Sequence, residues 1–222
     1  MEGPAGVKPM PPVISQKEAV KLVILFHVIG LIGLAIPATN AIFLKLVPWH
    51  LLFMFILLAF SHQSISQKFI GYILAIFFLG YLAEWAGINR QWLFGDYDYG
   101  KTLGIKLLGV PVIIGINWFL LTYSAGVLMQ HSRLKNAVFR VLAGAFLLVL
   151  LDLLIEPVAI KFDYWQWTGG SVPFKNYACW FLVSVIMLTI FELFRFKKQS
   201  IVAAVFLATQ FIFFAFLYFL TW

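Results

Sequence analysis

The stretch AVFRVLAGAFLLVLLDLLIE, Ala137 to Glu156, holds three charged residues in twenty, and two of them are carboxylates four positions apart at its end. A run of about 20 apolar residues is what a helix needs to cross a hydrocarbon core of about 30 Å. Working outward, the whole chain has this character: 63% of its 222 residues are hydrophobic and 11% charged, with a mean hydropathy of +0.96. Soluble domains do not have such a composition. The expectation is an all-α, polytopic membrane bundle of about seven transmembrane helices.

The spans read as Glu18 to Pro37, Leu46 to Phe60, Phe69 to Trp85, Val110 to Gln130, Ala137 to Glu156, Asn176 to Arg195 and Ile201 to Thr221. A signal peptide is the rival for the first, but its apolar part exceeds an h-region of roughly 7 to 15 residues. Residues 1–17, rich in Pro and Gly, read as a flexible tail, and residues 18–222 as a single transmembrane domain. Basic residues are retained on the cytoplasmic side of a membrane. Ten of them (Lys8, Lys17, Lys21, Lys68, Arg133, Lys135, Arg140, Arg195, Lys197, Lys198) fall on the N-terminal side, against six (Lys45, Arg90, Lys101, Lys106, Lys161, Lys175) on the other. A cytoplasmic N-terminus follows. The net charge of +7 then reflects topology and attraction to anionic lipid, and no nucleic-acid partner is expected.

With that topology the polar residues gather at one level. Glu84 ends the third span; Asp152 and Glu156 close the fifth; Asn117 with Trp118, and Asn176 with Trp180, occupy the outer parts of the fourth and sixth. All eight tryptophans fall in the outer half or its loops, whereas an aromatic belt should mark both interfaces. An aromatic lid at headgroup level would account for the rings alone. It would not account for the acids, each costing about 2.5 to 3.5 kcal/mol on insertion scales. Asp152 and Glu156, at i and i+4 with Pro157 ending the span, share a face. Two like charges so close in low dielectric should not both ionise, so the pair is expected to share a proton and titrate as one unit. The alternative is an ion pair with Lys161 or Arg90 folding back.

Other chemistries lack their residues. His27, His50, His62 and His131 lie on different spans without metal-ligand spacing and read as lone packing histidines, so no metal is expected. Cys179 is single. Neither GxGxxG nor a P-loop occurs; Gly30 and Gly33 read as helix-packing positions, and no cofactor is expected. The seventh span has no lysine to hold retinal. Acids and aromatics together suit proton chemistry on a lipophilic alkene, whose protonation gives a tertiary carbocation that ring faces stabilise by about 2 kcal/mol each when desolvated.

Three ordered blocks carry a resemblance: EWAGINRQWLFGDYDYGKTLGIKLLGVPVIIGINW (Glu84 to Trp118), DLLIEPVAIKFDYWQW (Asp152 to Trp167) and VPFKNYACWF (Val172 to Phe181). Over this range the chain resembles the integral-membrane carotenoid-biosynthesis proteins of the CruF-type carotenoid hydratase family. The resemblance implies addition of water across the terminal 1,2 double bond of an acyclic carotenoid end. It also implies a multi-pass protein of a bacterial or archaeal cell membrane, with carotenoid and lipid as partners and other carotenoid-biosynthesis enzymes nearby. Among the matching positions, the glycines and prolines shape loops, and Asp96, Asp98 and Asp163 lie between motif positions. The chemistry falls to Asp152 or Glu156 as proton donor, the other acting with Glu84 on water. Tyr97, Tyr99, Asn117, Trp118, Tyr164, Trp165, Asn176 and Trp180 would line the substrate. Two other readings stay open: a membrane carotenoid cyclase of the lycopene type, and a carotenoid-binding protein without catalysis.

Overall fold

The computed structural model describes residues 13–221. Lys8, Trp222 and most of the expected tail lie outside them, while Ser15 already caps the first helix, its hydroxyl accepting from the Glu18 N–H. Among the described residues are seven helices, each long and apolar enough to cross a membrane: α1 Gln16–Ala35, α2 Pro37–Phe60, α3 Gln67–Arg90, α4 Ile113–His131, α5 Ala137–Lys161, α6 Phe174–Leu193 and α7 Val202–Thr221. The protein is a polytopic all-α membrane bundle. α4 is its central post, packing against α2, α3, α5, α6 and α7. Small residues let it be approached: a side chain on Gly115 would collide with the Phe77 ring, and one on Gly126 with Phe191.

Three helix ends depart from the sequence expectation, each for a local reason. α2 begins nine residues earlier than expected (at 37, not 46), because Pro37 at its first turn needs no N–H partner. Thr39 Oγ1 and Asn40 Nδ2 donate back to the carbonyls of Gly33 and Leu34, closing a tight α1–α2 turn. α3 runs on to Arg90, stopped by Gln91 in the left-handed region at φ 54°. Pro157 does not end α5, which continues to Lys161. A proline inside a helix loses its own N–H bond and crowds the carbonyl four residues before it, and in a bundle neighbouring helices hold such a helix in place.

The α3–α4 and α5–α6 connections lie at one end of the bundle and contain short strands absent from the sequence reading. β1 (Tyr97–Tyr99) pairs antiparallel with β4 (Trp165–Trp167), setting Tyr97 opposite Trp167 and Tyr99 opposite Trp165. Successive strand side chains point to opposite faces, so the four rings share one face while Asp98 and Gln166 are exposed on the other. Gly100 makes the join: its N–H donates to the Tyr164 carbonyl, and a Cβ there would fall 2.0 Å from the Asp163 carbonyl oxygen. β2 (Lys106–Leu107) and β3 (Val110–Pro111) form a hairpin turned by Leu108 and Gly109, both at positive φ. Tyr81 and Asn89 of α3 donate to the Leu107 and Leu108 carbonyls and hold the hairpin down.

Candidate active site

Glu84, buried in the last turns of α3, receives three hydrogen bonds. Tyr97 and Tyr99 donate their phenols to Oε2 at 2.5 and 2.8 Å, and Trp118 donates its indole N–H to Oε1 at 2.9 Å. Alternation along β1 brings both phenols to one carboxylate. Burial, reinforced by the Glu84 charge, pushes both phenols well above their usual range, so they remain donors at neutral pH. Every partner of Glu84 donates.

One helix turn apart on α5, Asp152 and Glu156 are bridged by Asn176 of α6. Its Nδ2 donates to Asp152 Oδ2 at 2.8 Å and to Glu156 Oε1 at 3.0 Å, using both amide hydrogens. Trp165 and Trp167 donate their indoles to Glu156 Oε2 at 3.0 and 2.9 Å. Asp152 Oδ1 is buried with no hydrogen-bond partner among the described residues. A buried carboxyl oxygen that faces no donor has room for a proton. The side chains named above as donors to these acids are uncharged, and Arg90 lies over the Trp85 ring, 5.7 Å from its centroid.

Both acid clusters adjoin a cavity of about 370 Å³, within the range of small-molecule sites. Glu84, Glu156 and Asn176 line it; Asp152 does not, standing behind Asn176. Trp118 and Trp180 stack at 4.4 Å between ring centroids, and with Tyr97, Tyr99, Trp165 and Trp167 they wall the polar end. From there the cavity continues between α1, α2 and α7. Phe26 and Ile29 of α1 and Leu46 and Trp49 of α2 belong both to its lining and to the outer surface of the bundle. In a bilayer that surface faces acyl chains, so the cavity has a lateral mouth. An apolar chamber with aromatic faces and two carboxyl clusters at its closed end is equipped to protonate an alkene and stabilise the resulting cation.

Glu84, Asp152, Glu156, Trp118, Asn176, Trp180, Tyr97, Tyr99 and Trp165 are brought together. Asn117 and Tyr164 line the cavity without bonding the acids; burial pushes the Tyr164 phenol up. Trp167, a direct partner of Glu156, was grouped with the other tryptophans although the WQW spacing sets both indoles on one strand face. Asp96 and Asp163 serve turns, accepting from Gln91 and from the Lys101 N–H. The reading of lone histidines fails for two: the His27 and His50 rings meet edge-on at 4.8 Å in the cavity wall. Gly33 does pack as expected, against Phe43, but Gly30 borders the cavity.

A family profile described as carotenoid biosynthesis protein matches residues 43–222. A bisanhydrobacterioruberin hydratase of Haloarcula japonica is 30% identical over 129 residues, which are 54% of this chain and 43% of that protein. The chain therefore spans less than half the length of that relative. No solved structure matches it. Seven membrane-crossing helices and a match covering α3 to α7, the acids and the paired aromatic loops identify the chain as a member of the carotenoid biosynthesis protein family.

Proposed function

We propose that the protein is a cofactor-independent carotenoid hydratase, adding water across the terminal 1,2 double bond of an acyclic carotenoid end. The observation that carries this reading is the amide-bridged acid pair at the closed end of an apolar cavity, opposite a second carboxyl clamped by three donors. The end group enters through the lateral mouth. Glu156, the member of the pair that borders the cavity, passes the proton it shares with Asp152 to the alkene carbon and forms a tertiary carbocation. Trp118, Trp180 and the tyrosine faces stabilise it. A water held by Glu84 and the Asn176 amide oxygen attacks the cation and loses its proton to Glu84, and return of that proton to Asp152 reloads the pair for the next turnover. Balance is kept: one water adds, and no electron leaves or enters.

A hydratase of this kind takes its hydroxyl oxygen from water. With ¹⁸O-labelled water the product of the purified protein is expected to carry the label, without O₂, nicotinamide or added metal; label arriving from ¹⁸O₂ would end the hydratase reading. A cyclised product of unchanged mass would favour the cyclase, in which an internal alkene captures the same cation. Orientation is part of the proposal, with the N-terminus cytoplasmic and the acids toward the outer face, as the distribution of Lys and Arg supports. In a Cys179→Ala background, Thr102→Cys should react with an impermeant thiol reagent from outside and Ser132→Cys only from inside. The opposite labelling would invert the topology.

A further inference from the structure

The cavity wall carries a second polar group of residues that the reaction above does not use. His27, His50 and Gln210 sit near the middle of α1, α2 and α7, and all three border the cavity. The bonding of His27 is determined by its partners. The Val23 carbonyl, 2.7 Å from Nδ1, can only accept, so Nδ1 carries the proton. Nε2 then accepts from Gln210 Nε2 at 3.0 Å. Both ring nitrogens of His27 are thereby used, and the Gln210 amide is oriented with Oε1 unbonded among the described residues. His50 has no hydrogen bond among the described residues. Phe206 and Phe213 meet His27 edge-on from α7, so the unused valences of Gln210 and His50 lie in an otherwise greasy wall.

Uncompensated polar groups at membrane depth are costly and mark ligand pathways. What is unfilled here is the Gln210 amide acceptor, bonded to one side of His27, and the His50 imidazole, packed against His27, and both border the cavity. A hydrocarbon satisfies none of this. An uncharged O–H group satisfies both sides, donating to Gln210 Oε1 and accepting from His50. Position selects the source: Phe26 and Trp49 of the mouth are the chain neighbours of His27 and His50, so these residues stand between the acids and the lipid.

We propose that His27, His50 and Gln210 form an alcohol-binding subsite at the lateral mouth, which takes the hydroxyl of a polyisoprenoid alcohol. This rests on the cavity being a carotenoid site, and it adds that the protein holds a hydroxylated chain more tightly than the parent hydrocarbon. His27 lies outside the region matched by the family, whereas His50 and Gln210 lie within it; α1 thus completes the subsite in this chain.

The test measures tryptophan quenching of the protein in nanodiscs by an acyclic polyene and by the same polyene bearing a tertiary hydroxyl. The alcohol is expected to bind about three- to tenfold more tightly, the worth of one or two neutral hydrogen bonds. Gln210→Leu and, separately, His50→Phe should bring the ratio near one, with the hydrocarbon as internal reference. His50→Phe leaves the His27–Gln210 bond intact and guards against a folding defect. Equal affinities in the unmodified protein, or a preference surviving both substitutions, would overturn the subsite while leaving the carotenoid site standing. Binding of neither ligand would overturn both. Variants that slow hydration yet keep the alcohol preference would assign the residues to water and overturn the alcohol reading.

Discussion

Glu156→Gln is expected to lower turnover by about 10²- to 10⁴-fold, the usual scale for losing a positioned general acid. The hydrogen bonds decide how this loss should be read. Both oxygens of Glu156 accept, one from Asn176 and the other from two indoles, so the NH₂ of a glutamine must face a donor whichever way it turns. Some stability falls with the activity, on the order of 1–3 kcal/mol for the group left unpaired. Asp152 is the cleaner position. Its Oδ1 has no partner, so Asp152→Asn can place its NH₂ there and keep the bond from Asn176. That variant should fold normally and still lose at least about tenfold in turnover, since it cannot reload its neighbour. The double amide should be scarcely slower than Glu156→Gln alone, because residues acting as one unit are not additive. Product formation per folded protein is the measurement. Unmodified turnover in both single variants would move the acid to Glu84.

Gly80→Ala should cost both stability and activity although it touches no acid. A Cβ at Gly80 would stand 2.6 Å from Trp118 Cβ and Cγ, atoms that cannot swing aside as a flexible side-chain tip can. α3 and α4 must part, and Glu84, one turn beyond Gly80, would lose the Trp118 indole it accepts. Overpacking costs about 1–3 kcal/mol, which in a chain of this size lowers Tm by roughly 2–4 °C per kcal/mol. Turnover is expected to fall further than stability, because the displaced contact is the one between Glu84 and the cation-facing ring. Gly71→Ala on the same helix is the control, as a Cβ there meets nothing within 4 Å. Equal melting and turnover in the two variants would show that the α3–α4 spacing is not what seats Glu84.

The legible parts of this protein were those where a residue is costly wherever it lies. Carboxylates within apolar runs stand out because the membrane penalises them, and Glu84, Asp152 and Glu156, which stand out in this way, lie in the structure at one level with Asn176 and Trp118. Pro157 misled because a proline normally ends a helix in water; inside a bundle α5 passes through it. The β1–β4 ladder was not legible, since three-residue strands lack the length for alternation to stand out and their pairing joins segments some seventy residues apart. His27 and His50 were misjudged because depth along two neighbouring antiparallel helices cannot be compared without knowing where α2 starts, and α2 starts well before its apolar run. A signal did exist in Gln210, a lone amide midway along α7, a helix without a charged residue.

The β1–β4 ladder has a consequence for how such a protein can change over generations. Tyr97 and Tyr99 serve Glu84, Trp165 and Trp167 serve Glu156, and the four owe their shared face to one register. A single-residue insertion or deletion in either strand would turn that strand's rings outward and present Asp98 or Gln166 to the cavity. Length is therefore free to drift in the tips and flanks of the two connections but not in their paired cores. The two loops, far apart in the chain, descend as one inherited part, and a lineage that exchanges one without the other inherits a cap that no longer matches its acids.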